Sequence, residues 1–338
     1  MSSKTQTPTN TQARIEQFKQ ASKIHGGPAS VLAASLAVRL SKMPIPSRSL
    51  REKLFREVYG SKYSPLCEEE MEQPIGDYRS LNELFTRGVR PESRPLQRPD
   101  LNLLCPVDGT VQDLGTIDGD TVMTAKGIGY SLASLVPQTD TRPFHGGAFS
   151  IFFLSPVDCH RVFAPQNAKL TRVTHVPGHR LLVHPPFQRQ EFPVFTLNER
   201  VVLHLETKWG RCLLVMVAGW GVGNITLPFT ARYRWADRPS GIADPYPDGE
   251  VRANRKLGMR RGKVSAAVLE QPIELEAGDW AATFELGSTV IMLTEPQEDC
   301  YAFISSDDKV RYGEPAYCFA PGCGGQSGWK GRSPEGAP

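Results

Sequence analysis

Ten consecutive residues near the C-terminus, Phe284-Glu285-Leu286-Gly287-Ser288-Thr289-Val290-Ile291-Met292-Leu293, constrain this chain more than any other stretch. The residues on either side of Gly287-Ser288 are β-branched, aromatic or aliphatic, so the expected local structure is a strand interrupted by one small, permissive pair. Gly inside a strand marks a bulge or a place where other groups approach closely. On the residues alone a bulge in a core strand is the simplest reading.

The rest of the pattern sets the fold class. Pro28 to Leu40 starts with a proline where a helix tolerates one and places Leu32, Leu36 and Leu40 four apart. Ser49-Leu50-Arg51-Glu52 reads as a capping box opening a helix that carries Leu54, Phe55 and Val58 and stops at Gly60, and Ser80 to Glu83 reads as a second box. After Arg94-Pro95 the pattern turns strand-like, with Gly-rich turns separating apolar runs at 107–117, 148–154, 200–206, 211–218 and 282–293. The expectation is an α+β protein, N-terminal helices followed by a β-rich catalytic core. The division expected is 1–27 as a disordered N-terminus, 28–95 as a helical segment, 96–320 as the core and 321–338 as a disordered tail rich in Gly, Ser and Pro.

Composition narrows the function classes. With 338 residues, 40% hydrophobic and 22% charged, the chain reads as globular with an ample core. A net charge of +3 without any nucleic-acid signature argues against nucleic acid as a partner. The seven cysteines form no Cys-x-x-Cys pair and lack histidines at zinc-ligand spacing, so no metal site is expected and reduced thiols are the simplest account. There is no Rossmann, P-loop or metal motif and no secretory signal peptide, although the acid-poor first twenty residues leave a transit peptide open. The thirteen residues of 28–40 are too few to span a bilayer, which takes about 20. They suit equally a helix packed on the body or an in-plane membrane helix edged by Arg39 and Lys42. Residues 232–263, with Arg252, Arg255, Lys256, Arg260, Arg261 and Lys263, read as a mobile loop, either simply solvated or in contact with anionic head groups.

Several further stretches occur in a fixed order: Tyr78-Arg79-Ser80-Leu81-Asn82-Glu83-Leu84-Phe85 with Arg90-Pro91 and Arg94-Pro95; Pro106-Val107-Asp108-Gly109-Thr110-Val111; Ala125-Lys126-Gly127-Ile128-Gly129-Tyr130; Leu154-Ser155-Pro156-Val157-Asp158-Cys159-His160-Arg161-Val162; Val176-Pro177-Gly178; Asn198-Glu199-Arg200; and Val217-Ala218-Gly219. Together with Leu286-Gly287-Ser288-Thr289 they resemble the phosphatidylserine decarboxylases, a family of self-cleaving, pyruvoyl-dependent enzymes. The joint occurrence is far more specific than any single motif. The resemblance implies that the Ser288 hydroxyl attacks the Gly287 carbonyl, and that cleavage between Gly287 and Ser288 turns Ser288 into a covalent pyruvoyl group. It also implies that phosphatidylserine, bound through its amine as a Schiff base, loses carbon dioxide to give phosphatidylethanolamine. The implied partners are a phospholipid substrate and a membrane surface, bacterial cytoplasmic or mitochondrial inner, with the two cleavage fragments staying associated and a homodimer left open. A pyruvoyl decarboxylase of a soluble amino acid, or an unprocessed lipid-binding relative, are the rival readings.

The matching Asp108, otherwise a turn residue in Asp-Gly, is implied to join a His and Ser288 in self-cleavage. Here the chain departs from its family, whose pattern has two histidines three residues apart. His160 matches the first, but the second position is Phe163, which can neither accept a proton nor hydrogen-bond to Asp108. Either His160 serves both self-cleavage and decarboxylation, which is the favoured reading, or His184 or His179 supplies the base, or processing is slow or absent.

Overall fold

The structure, a computed structural model, describes residues 27–62, 66–124, 127–184, 188, 193–220, 224–228, 250–252, 264–285 and 288–320. Gly287, Lys126, most of the 232–263 loop and both terminal segments expected to be disordered therefore lie outside the described residues.

Among the described residues, three α-helices precede the strands: α1 (Gly27–Ser41), α2 (Arg48–Lys62) and α3 (Leu81–Phe85). The Ser80 half of its box forms, with Ser80 Oγ accepting from Glu83 N at 3.1 Å, whereas the Glu83 carboxylate accepts from Arg79 N, one residue before the cap. The Ser49 box does not form. Ser47 Oγ caps α2 instead, accepting from Leu50 N at 3.3 Å, because Glu52, which the box requires to reach back, pairs with Arg48 one turn away. Phe55 and Tyr59 of α2 pack with Leu84 of α3, Ile75 and Tyr78 in a small aromatic cluster. Helix α1 buries Val38 but leaves Leu32, Leu36 and Leu40 58%, 55% and 56% exposed. Its leucine stripe therefore faces outward. Among the described residues no helix is long and apolar enough to cross a membrane.

Seventeen strands follow among the described residues, in chain order β1 (Asn102–Leu104), β2 (Gly109–Thr116), β3 (Thr121–Met123), β4 (Gly129–Ser131), β5 (Ala148–Leu154), β6 (Arg161–Phe163), β7 (Ala168–Val176), β8 (Arg200–Thr207) and β9 (Gly210–Ala218). The rest are β10 (Asn224–Thr226), β11 (Glu250–Arg252), β12 (Ser265–Leu275), β13 (Trp280–Phe284), β14 (Ser288–Thr294), β15 (Tyr301–Ala302), β16 (Lys309–Val310) and β17 (Pro315–Cys318). Eight of them form one antiparallel sheet in the order β12-β7-β8-β9-β14-β5-β2-β16. Strand β14 sits in its middle, between β9 and β5, and all seven of its residues are buried. Val290 and Met292 point into one apolar cluster, with Phe152 and Met216, and Ile291 and Leu293 into a second, with Ile151 and Val215. A strand covered on both faces needs a continuous apolar run, and that is what Val290 to Leu293 supplies.

The architecture is α+β as expected, with helices first and a β-rich core after. The stretch 282–293, expected as one interrupted strand, is two strands in two sheets. Strand β13 belongs to a four-stranded sheet, β11-β10-β13-β6, and β14 to the large one. Phe284 ends a strand of one sheet, and Ser288 is the first residue of a central strand of the other. Among the cysteines, Cys67, Cys105, Cys159, Cys212 and Cys300 are free, whereas Cys318 is disulfide-bonded, which corrects the expectation of reduced thiols at that position.

Candidate active site around Ser288 and His160

Two pairings bring Ser288 and His160 to one corner. Ser288 lies opposite Leu154 at the end of β5 and opposite Ala218 at the end of β9. The chain then leaves β5, and the carbonyl of His160 accepts from Phe284 N at 3.0 Å where β6 meets β13. The segment 155–159 is thus closed off by these two contacts. Both side chains are completely buried.

The intervening turn is built by Asp158. Its carboxylate accepts from Ser155 N at 2.6 Å and Ser155 Oγ at 2.7 Å, the short-range bonding that makes Asp and Ser good turn formers. Burial pushes the Asp158 carboxyl above its usual range despite those bonds. The Asp158 carbonyl lies 3.0 Å from His160 Nδ1. A carbonyl can only accept, so Nδ1 carries the proton and Nε2 of the neutral ring carries the lone pair. Nε2 has no hydrogen-bond partner, and neither has Ser288 Oγ. The Phe85 ring lies 3.8 Å from the imidazole, and burial is the main reason its pKa falls to about 3, with the nearby Arg87 charge acting in the same direction. The site therefore holds a neutral proton acceptor and a hydroxyl, both sealed from water and unengaged. Each orphaned polar group costs about 1–3 kcal/mol, which a purely structural Ser or His would avoid.

Asp108 sits at the same end of the sheet but faces other partners. It precedes β2, which pairs with β5 on the side away from β14, so about two strand spacings, roughly 10 Å, separate the two chains. Its carboxylate takes Arg94 Nη2 at 2.7 Å, Arg94 Nε at 3.1 Å and Tyr312 N at 2.9 Å. Glu70 adds a second carboxylate to Arg94 at 2.9 Å. No hydrogen bond joins Asp108 to His160, whose Nδ1 is satisfied by the Asp158 carbonyl. Phe163 stacks on Tyr312, with ring centroids 3.6 Å apart, in a cluster with Val89 and Cys159. An aromatic pair fills the position where the family carries its second histidine.

The alternative histidines are placed elsewhere. His184 packs edge-on against Phe153 at 5.1 Å, and Phe153 pairs with Thr289 and packs on the second apolar cluster. Side chains alternate along a strand, so His184 lies on the Thr289 face of β14, opposite to that of Ser288. His179 forms an isolated bridge with Asn198. Asp158, Phe85 and Arg87 were not singled out by sequence reasoning, although Asp158 and Phe85 fall within the motifs that carry the resemblance and Arg87 lies between two of them. The signal for Asp158 is its position three residues after Ser155, an Asx-type turn spacing. At the far side, Lys42 at the end of α1 reaches Glu285 at 2.6 Å, tying the exposed helix to the segment that leads into Ser288. Among the described residues no group of His, Cys, Asp and Glu could hold a metal ion.

Comparison with known proteins gives a consistent set of relatives. The family model for phosphatidylserine decarboxylase matches residues 81–317. A phosphatidylserine decarboxylase proenzyme of Variovorax paradoxus is 35% identical over 238 residues, 70% of this chain and 76% of that protein. The corresponding proenzyme of Bordetella pertussis is 35% identical over 229 residues, covering 67% and 70%. That of Anaeromyxobacter sp. is 32% identical over 276 residues, covering 81% and 88%.

Proposed function

This chain belongs to the phosphatidylserine decarboxylase family, and on that premise we propose that it cleaves itself between Gly287 and Ser288 and then converts phosphatidylserine to phosphatidylethanolamine. The observation that carries the reading is the Ser288 hydroxyl, fully buried and without a partner at the first residue of a central strand. Such a hydroxyl fits the precursor of a pyruvoyl group, since nothing competes for its lone pairs.

In self-cleavage, His160 Nε2 takes the proton from Ser288 Oγ as that oxygen attacks the preceding carbonyl. The Asp158 carbonyl holds the tautomer that leaves Nε2 free to accept it. Once formed, the pyruvoyl carbonyl would supply the electron sink that decarboxylation needs. His160 remains at the site, where Nε2 takes a proton from the substrate's ammonium group and returns it to the carbon left by carbon dioxide. Asp108 acts at one remove, fixing through Arg94 and Tyr312 the turn from which β2 runs beside Leu154. The outward leucines of α1, with Arg39 beside them, form the surface that rests on the membrane.

Carbon dioxide release from serine-labelled phosphatidylserine vesicles tests the reading, with Ser288→Ala as the blank. Release from free serine but not from the lipid would support the soluble amino acid rival. An intact chain that binds vesicles without turnover would support the lipid-binding rival.

A further inference from the structure

Three arginines are buried among the described residues. Arg94 is neutralised by Asp108 and Glu70. Arg200 is satisfied by backbone carbonyls of Leu135, Ser134, Thr196 and Asn198, which engage all three of its nitrogens. Arg87 has neither kind of compensation. It is 5% exposed, it makes no ion pair, and only two of its five N–H donors are used, on the carbonyls of Leu84 and Val157. Its Nε has no partner. A buried guanidinium left in this condition is expensive for the fold, and its geometry suits a bidentate oxyanion.

Its position says which oxyanion. Arg87 follows Phe85, whose ring lies on His160, and it holds the carbonyl of Val157 in the turn that leads to His160. Its charge acts on the His160 imidazole and the Cys159 thiol. The unsatisfied cation therefore borders the reacting corner. If the function proposed above is right, two anionic groups of the substrate come there, a carboxylate and a phosphodiester a few bonds away. The carboxylate must surrender its charge as it leaves, so an ion pair to it would stabilise the ground state more than the transition state. The phosphodiester keeps its charge throughout.

We propose that Arg87 binds the phosphodiester of the lipid head group and so makes this site selective for phospholipid over free amino acid. In the uncut chain Arg87, His160 and Ser288 are all closed to solvent, so the anion site becomes available only with the rest of the site.

The test compares the cleaved wild type with R87Q and R87K on short-chain phosphatidylserine, with phosphatidylethanolamine as competing product. The product keeps the phosphodiester and lacks the carboxylate. For R87Q, KM should rise about ten- to a hundredfold with kcat much less affected, the inhibition constant of phosphatidylethanolamine should rise by the same factor, and R87K should recover part of both. If R87Q does not accumulate as folded protein, R87K alone should still show the two constants rising together. A rise in KM with an unchanged product constant would assign Arg87 to the carboxylate and overturn the proposal. Unchanged constants, or a loss of kcat alone, would reduce Arg87 to a clamp on the 155–159 turn. A wild type that cleaves itself but releases no carbon dioxide from phosphatidylserine would remove the functional reading itself, a failure visible before any variant is made.

Discussion

Replacing Asp108 with Asn separates a structural from a chemical role at the residue that the family pattern would place in self-cleavage. The side chains of Arg94 and Asp108 are 5% and 8% exposed and meet at 2.7 Å. Removing one partner of a buried pair costs about 3–5 kcal/mol, because the remaining charge is stranded. Asn keeps an acceptor for Tyr312 N and Glu70 still faces Arg94, so the loss should fall at the lower end, about 3 kcal/mol. For a chain of 338 residues that corresponds to a midpoint lowered by about 4 °C. Thermal unfolding followed by circular dichroism measures the loss. Electrophoresis of the same preparation, held well below the new midpoint, measures cleavage, which should continue. The double variant with Arg94→Gln should be clearly less than additive, since both changes break one contact. An Asp108→Asn protein with an unchanged midpoint that no longer cleaves itself would place Asp108 in the proton path and refute this reasoning.

Ser288→Ala and His160→Ala are both expected to stay full length on denaturing gels, whereas His184→Ala should process normally; processing by His160→Ala would hand the base role to another group. Because burial holds His160 at about 3, its ring stays neutral well below the usual value, and the cleavage rate should be flat from pH 8 to 6, so an inflection near 6.5 would contradict the sealed site. The same depression at His160 and His204, to about 3 and 4, makes the unfolded chain take up protons first as pH falls. Stability should therefore hold above pH 6.5 and decline toward pH 4, by at most about 1.4 kcal/mol per pH unit for each group, measurable as the urea midpoint. Leu36→Glu with Leu40→Glu should lower sedimentation with anionic vesicles several-fold without shifting the unfolding midpoint, because both side chains are already exposed; unchanged sedimentation would take α1 off the membrane.

Much of the fold was legible because local pattern and tertiary demand agree. The runs at 148–154, 200–206 and 211–218 coincide within a residue or so with β5, β8 and β9, all central strands whose apolar content burial enforces. Strands β7 and β12 were not read. They carry Lys169 and Arg172, and Glu270, Gln271 and Glu274, and they form one end of the large sheet, β12 at its edge and β7 beside it, where pairing rather than an apolar run defines the strand. The change of sheet between β13 and β14 left no periodicity to read, since both strands are apolar and only their partners differ. Motif order pointed to Ser288 and His160, which the fold brings to one corner. The Arg94 grip on Asp108 was not, because an ion pair between residues so placed depends on which turns the fold brings together, and the single sequence contains no trace of that.

Intact mass spectrometry of the purified wild-type protein bears most directly on the central claim. The account predicts two species, residues 1–287 and a C-terminal fragment that starts at position 288 and is lighter by one ammonia than simple peptide hydrolysis would leave it, with Ser288→Ala giving a single full-length mass. A wild-type chain that keeps its full mass, or fragments that meet at any other bond, would contradict it.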